Sequence, residues 1–331
     1  MGKRENFTRR RGERGEREEC RVGTLCLLAF LFLPAIACAG QPDAGQPGYF
    51  LRLATDARIL GMGGAGVSFP DSGMFVNPAG IAVSGQKRLQ VTAIALPFPD
   101  TSCNFLSYTP VVGRHWGIGL GVPVLKVTGA EKRTGEYESN GTFDDQQMAI
   151  GLGVARSFPH GFSVGLALKA MQQRFCEKTT TTNDMDMGML YQYRTYAFSG
   201  RDSGSSPLNV GVCFQNILGS TVKQASGENK MPQTIKAGIS FCPIDRVLIA
   251  MDMEKSSGQA SKGHLGVEYS PINPLNLCAG YDDQGYLTAG VGIKVKNFTL
   301  DYGLQNHSYK LSHRVSVGMR FGADVRDAAS F

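Results

Sequence analysis

From about residue 90 onward the chain alternates, and this period of two constrains the fold more than any other feature. In HWGIGLGVPVL, Trp116, Ile118, Leu120, Val122 and Val124 share one face; His115, Gly117, Gly119, Gly121 and Pro123 share the other. QMAIGLGVA sets Met148, Ile150, Leu152 and Val154 against Gln147, Ala149, Gly151, Gly153 and Ala155. GFSVGLALKAM, YLTAGVGIKV and LSHRVSVGMRF repeat the pattern, with Phe162, Val164, Leu166 and Leu168, then Leu287, Val291 and Ile293, then Val315, Val317 and Met319 on their apolar faces. Such alternation is the strand signal. No long helical period follows residue 90. The opposite face is rich in glycine and poor in charge, unlike the solvated face of a soluble sandwich. A transmembrane barrel accounts for it: apolar residues meet lipid, and small or polar ones face the lumen. Closed barrels and helices alone satisfy every backbone group inside a bilayer.

Fourteen strands are expected, at 90–98, 102–109, 114–125, 145–156, 161–173, 185–194, 207–216, 231–241, 245–254, 262–270, 274–281, 285–295, 297–305 and 311–322. Most have roughly the 9–11 residues that a tilted spanning strand needs. The connections after even-numbered strands are short: VVGR, FPHG, PID, PINP and Lys296, with 195–206 the exception. Those after odd-numbered strands include the longer 126–144, 174–184, 217–230 and 255–261. Short periplasmic turns and long external loops distinguish the two ends of such barrels. Phe321 suits the aromatic that closes a last strand, followed by GADVRDAASF.

Residues 1–40 read as a secretory signal. A long basic stretch precedes the uncharged VGTLCLLAFLFLPAIACA, and small residues at Ala35 and Ala37 suit cleavage. Ala35-Ile36-Ala37-Cys38 also resembles a loose lipidation box. Without this leader the chain has 26 basic and 23 acidic residues, a net of +3 that is no nucleic-acid footprint. Cys103, Cys176, Cys213, Cys242 and Cys278 are an odd, widely spaced set with no C-x-x-C, which argues against a disulfide framework.

Gly61-Met62-Gly63-Gly64-Ala65-Gly66 has the spacing of a dinucleotide-binding loop. That chemistry requires a preceding strand and a following helix. Pro70, Gly73 and Pro78 break the downstream chain, so no βαβ unit forms and no cofactor is expected. The wider stretch ATDARILGMGGAGVSFPDSGMFVNPAGIA, residues 54–82, resembles the amino-terminal segment of FadL-like outer-membrane proteins, and most of all their treponemal set. Asn77-Pro78-Ala79 matches that family's NPA motif. The resemblance implies an all-β fold: a transmembrane, 14-stranded antiparallel barrel (89–322) with an N-terminal hatch (41–88) of short helices and loops plugging the lumen, and a periplasmic tail at 323–331. It further implies an outer-membrane transporter of long-chain fatty acids or other small hydrophobic molecules, in contact with outer-membrane lipid and monomeric. Gly61, Gly63, Gly64 and Gly66 would let the backbone pack against the wall. Pro78 would pre-set a turn, and the Asn77 side chain would bond nearby backbone. Met62, Phe69, Met74 and Phe75 are the candidates to touch ligand or plug the lumen.

Two other functions fit the same residues. One is a PorV-like shuttle or structural protein for secreted partners, which a stoichiometric partner in detergent extracts would reveal. The other is a surface antigen whose loops 126–144 or 174–184 bind host material. Enzyme chemistry lacks support: the five histidines have no metal-ligand spacing, and no G-x-S-x-G elbow of the lipase kind is read. Asp144-Asp145, Asp184/Asp186 and Asp282-Asp283 read as solvated acidic pairs at strand ends. Lys169, Lys236, Asp252, Glu254, Lys294, Arg314 and Arg320 read as a polar lumen, or as groups that hold a carboxylate in passage.

Overall fold

The structure, a computed structural model, describes residues 46–53, 56–83, 87–96, 98, 100–113, 115–133, 139–175, 178–195, 206–224, 227–282, 285–306 and 311–322. The proposed leader with Cys38, the tail 323–331, Cys176, Asp283 and His307 lie outside these residues, as does most of the 195–206 connection. Fourteen strands form the wall: β1 (Lys87–Ala95), β2 (Thr101–Thr109), β3 (Trp116–Arg133), β4 (Ser139–Ser157), β5 (Phe162–Phe175), β6 (Lys178–Thr195) and β7 (Ser206–Gln215). They continue with β8 (Thr234–Ile244), β9 (Val247–Ser256), β10 (Ser261–Ile272), β11 (Leu275–Tyr281), β12 (Leu287–Val295), β13 (Phe298–Asn306) and β14 (Leu311–Phe321). Each pairs antiparallel with its neighbours, and β1 pairs with β14 from Lys87↔Phe321 to Ala95↔His313, so the sheet is closed.

The alternation sorts as expected. Leu120, Ile150, Leu152, Leu166, Leu168, Val291 and Val317 are exposed on the outside, with Leu168 57% exposed. Gly119, Gly121, Gly151 and Gly153 on the same strands are buried inside. An outer wall of leucine, valine and isoleucine is stable only against hydrocarbon. At the end where 245–246, 273–274 and 296–297 connect the strands (the turn end), Tyr108, Trp116, Phe158, Phe162, Tyr191 and Phe298 form an aromatic girdle. Arg156 lies over two of these rings, 5.2 Å from Trp116 and 5.1 Å from Phe158. Aromatic side chains with one wet edge favour the membrane–water boundary. Phe321 ends β14 there and stacks on Tyr108 at 6.2 Å. Leu166→Arg, an outward position near the middle of the spanning part of β5, should lower barrel stability by about 2–4 kcal/mol. Urea titration in lipid vesicles measures this; an unchanged midpoint would mean that the face does not meet lipid.

Two of the expected loops are strand. β3 runs to Arg133 and β4 starts at Ser139, while β5 and β6 are separated only by 176–177. The segments 126–144 and 174–184 are therefore largely the tops of β3–β6, rising beyond the band that apolar alternation marks. They escape a search for that alternation because they lack the apolar face, and threonines at 179–182 carry the strand instead. The 217–230 connection contains its own hairpin, Thr221–Gln224 paired with Gly227–Lys230.

Candidate functional site

The lumen is filled by the chain's own residues 56–83. This segment contains the helix α2 (Ala57–Gly61) and a 3-10 turn, Pro78–Val83; a short helix α1 (Tyr49–Arg52) precedes it. Asp56 caps α2 by accepting from the Ile59 amide at 2.8 Å. The glycine run follows this helix and ends it: Gly63 and Gly64 have φ of 68° and 87°, and their amides return to Leu60 and Ile59 carbonyls at 3.0 and 2.9 Å. A phosphate loop stands in front of a helix, so this is the reverse arrangement.

The run nevertheless binds a carboxyl group, one supplied by the wall. The Gly66 and Val67 amides donate to the Asp252 carboxylate of β9 at 2.6 and 2.8 Å. His264 of β10 lies 2.7 Å from the Gly63 carbonyl, and Thr288 of β12 accepts from the Gly63 amide and donates to the Gly61 carbonyl, both at 3.0 Å. The run is thus bonded to three strands.

Glycines of the wall explain how a backbone comes so close. Gly119↔Gly153 and Gly121↔Gly151 are paired across β3–β4, Gly165↔Gly188 across β5–β6, and Gly211↔Gly238 across β7–β8. Gly266↔Gly280 follow across β10–β11 and Gly290↔Gly303 across β12–β13. The luminal segment lies over each pair. A Cβ at Gly303 would come 2.5 Å from the Ala57 carbonyl oxygen, at Gly266 2.5 Å from that of Met62, and at Gly121 2.6 Å from the Phe75 ring. At Gly165 and Gly188 it would strike Pro78 and the Asn77 side-chain oxygen.

Asn77 is fully buried. Its amide nitrogen donates to the Val67 carbonyl at 2.8 Å and to that of Met189 in β6 at 3.1 Å; its oxygen accepts from the Ala79 amide at 3.1 Å. Asn77-Pro78-Ala79 is therefore a bracket over the Gly165–Gly188 pair. The four apolar candidates are all buried but belong to two clusters. Met74 and Phe75 pack with Phe50, Ile81, Phe105 and Met171; the Phe75 and Phe105 rings meet edge to face at 5.6 Å. Met62 and Phe69 pack with Ile59, Val67 and Val76.

Charges are arranged in two groups. Toward the long-strand end, Lys169 meets Asp186 at 2.6 Å and Asn216 at 2.7 Å, while Lys236 and Arg52 meet Glu254 at 2.9 and 3.2 Å. Asp184 and Asp186 are consequently not solvated: both are buried, and Asp184 accepts from the Leu218 and Ser220 amides at 3.1 and 3.2 Å. They are acceptors that anchor the 216–220 loop. Asp282 is likewise buried and accepts from Gln305 at 2.6 Å. At the turn end, Arg58, Arg88 and Arg320 surround Asp71, none of which except Arg320 stood out in the sequence. Burial alone would raise the Asp71 carboxyl, but Arg58, Arg88 and Arg320 outweigh it and hold it at about 2.

Among the described residues no His, Cys, Asp and Glu cluster could hold a metal. The G-x-S-x-G spacing does occur, as Gly161-Phe162-Ser163-Val164-Gly165, a correction to the sequence reading. Ser163 lies in β5 and is 2% exposed, with no strand-to-helix turn to present it as a nucleophile.

No protein-family model matches the chain, and no curated protein matches it. Solved structures do. The toluene transporter TbuX of Ralstonia pickettii is similar at a TM-score of 0.55 and 14% identity, over 81% of this chain and 98% of that one. The toluene transporter TodX of Pseudomonas putida gives 0.53 and 11%, over 80% and 96%. A FadL homologue of Pseudomonas aeruginosa gives 0.55 and 10%, over 81% and 98%. At these identities the likeness is one of fold: this chain has the fold of those proteins.

Proposed function

We propose that this chain is a FadL-like outer-membrane transporter that takes up long-chain fatty acids or other small hydrophobic molecules, with residues 41–88 as its hatch. The observation that carries the reading is the content of the lumen. A barrel whose bore is occupied by its own amino-terminal segment, with Met62, Phe69, Met74 and Phe75 as the apolar filling, conducts only when that filling moves. A ligand that takes its place gains roughly 0.8 kcal/mol per buried CH₂, which offsets the apolar contacts the segment gives up. The fold shared with TbuX, TodX and the FadL homologue supports the same class of cargo. Membership of the family, with the treponemal set nearest, is part of the proposal.

Proteoliposomes holding the barrel should accumulate labelled oleate or toluene several-fold faster than empty ones. Asn77→Ala loses three buried hydrogen bonds, each worth about 1 kcal/mol, and should change that rate while the barrel stays folded. If neither protein binds or moves either compound, transport of this class is excluded.

A further inference from the structure

Asp71 stands among three guanidiniums. Its oxygens lie 3.4 Å from Arg58 Nη1, 3.2 Å from Arg320 Nη2 and 3.7 Å from Arg88 Nη1. Arg88 also donates to the Asp71 backbone carbonyl at 2.8 Å. Arg88 and Arg320 stand directly opposite each other where β1 closes on β14. Like charges in that relation repel, so an anion between them stabilises the seam. The three guanidiniums form ion pairs with Asp56, Asp71 and Glu268, and Lys294 and Asp301 stand close by. Without Asp71 they lose one carboxylate partner, in forks whose planar donors match a carboxylate.

The site is also accessible. Asp71 is about a quarter exposed and, with Arg58, borders a cavity of about 280 Å³ at the turn end, whose lining joins the apolar Phe69, Val247 and Leu248 to the charged Arg246 and Glu268. Arg58 lies 4.9 Å over the Phe69 ring, so the charged end and the apolar wall are contiguous. The cavity exceeds the roughly 150 Å³ that suffices for a benzene.

We propose that Arg58, Arg88 and Arg320 form an anion site at the turn end of the lumen, with Asp71 as its resident occupant. The external ligand is a carboxylate-headed amphiphile that exchanges with Asp71 and lays its chain along Phe69 and Leu248. The exchange keeps the Arg88–Arg320 pair neutralised while freeing the loop that carries Asp71. As a step in uptake it rests on the transport reading above; as a binding site it does not.

Decanoate and decanol share a chain and differ in charge. Titrated calorimetrically into the purified full chain in nonionic detergent at pH 7, decanoate should bind Asp71→Asn at least tenfold more tightly than wild type. Decanol should change less than twofold. The gain should vanish in Asp71→Asn/Arg320→Gln. Equal changes for both compounds, or a gain that survives the second substitution, would overturn the site and leave Asp71 as a seam clamp only. Should Asp71→Asn fail to fold, Arg320→Gln alone decides: weaker decanoate with unchanged decanol supports the site, and equal losses remove it. The two readings separate in liposomes. Uptake of decanol with no charge-dependent binding keeps transport and removes this site; binding that follows the charge, with no uptake of either compound, does the reverse.

Discussion

Gly188→Val should unseat the luminal segment and convert a closed barrel into a conducting one. Gly188 lies beneath Asn77 and Pro78, and a Cβ there would overlap the Asn77 oxygen and come 2.8 Å from Pro78 Cδ. Neither side can yield. The strand is held by β5 and β7, and the proline is fixed by its ring. Overpacking of this kind costs about 1–3 kcal/mol, and displacing Asn77 forfeits three buried hydrogen bonds of about 1 kcal/mol each. The hydrogen bonds alone, about 3 kcal/mol, shift the seated-to-unseated ratio roughly a hundredfold. The outer wall is untouched, so the barrel itself should fold. Planar-bilayer conductance should rise, and trypsin should reach Arg58 at least tenfold faster. Ala170→Val, on the outer face of the neighbouring β5, is the control. If the two variants behave alike, the glycine pair is not the floor on which Asn77-Pro78-Ala79 rests.

Asp252→Ala should loosen the glycine run, and with it the Val67 carbonyl to which Asn77 donates. The substitution removes the acceptor of two buried amides, Gly66 and Val67, and an orphaned buried donor costs about 1–3 kcal/mol. Hydrogen exchange in the peptide spanning residues 60–69 should accelerate by ten- to a hundredfold or more. Asp252→Asn keeps one accepting oxygen and should fall between. Exchange unchanged in the alanine variant would show that the run is held by its own turns and by Thr288, not by the wall carboxylate.

The strands were legible because the solvent changes from one side of the wall to the other. Each of the fourteen expected segments overlaps one wall strand, since Leu152 or Leu166 must face outward and Gly153 or Gly165 inward. Boundaries were poorest where that contrast ends, at the tops of β3–β6. The motif around Asn77 was legible for its residue types. What it rests on was not: Gly165 and Gly188 are far apart in the chain, and only strand register pairs them. The same limit applies to Asp252. Its place on a lumen face could be read, but its partners, the amides of Gly66 and Val67, come from a segment packed across the bore. Asp71 is a single acid among prolines and glycines until three arginines from separate elements converge on it.

The opposed guanidiniums at the junction of first and final strands bear on how the molecule is made. β1 begins only a few residues beyond Val83, so whatever enters the bore is tethered beside one edge of the unfinished cylinder, and the other edge is the last to be synthesised. Zipping those edges together sets Arg88 against Arg320. An empty cylinder would seal against its own repulsion, whereas one that had already swallowed its cork would seal around a counter-ion. Closure of the seam is thereby coupled to a filled bore, because the charge that neutralises it comes from the segment inside.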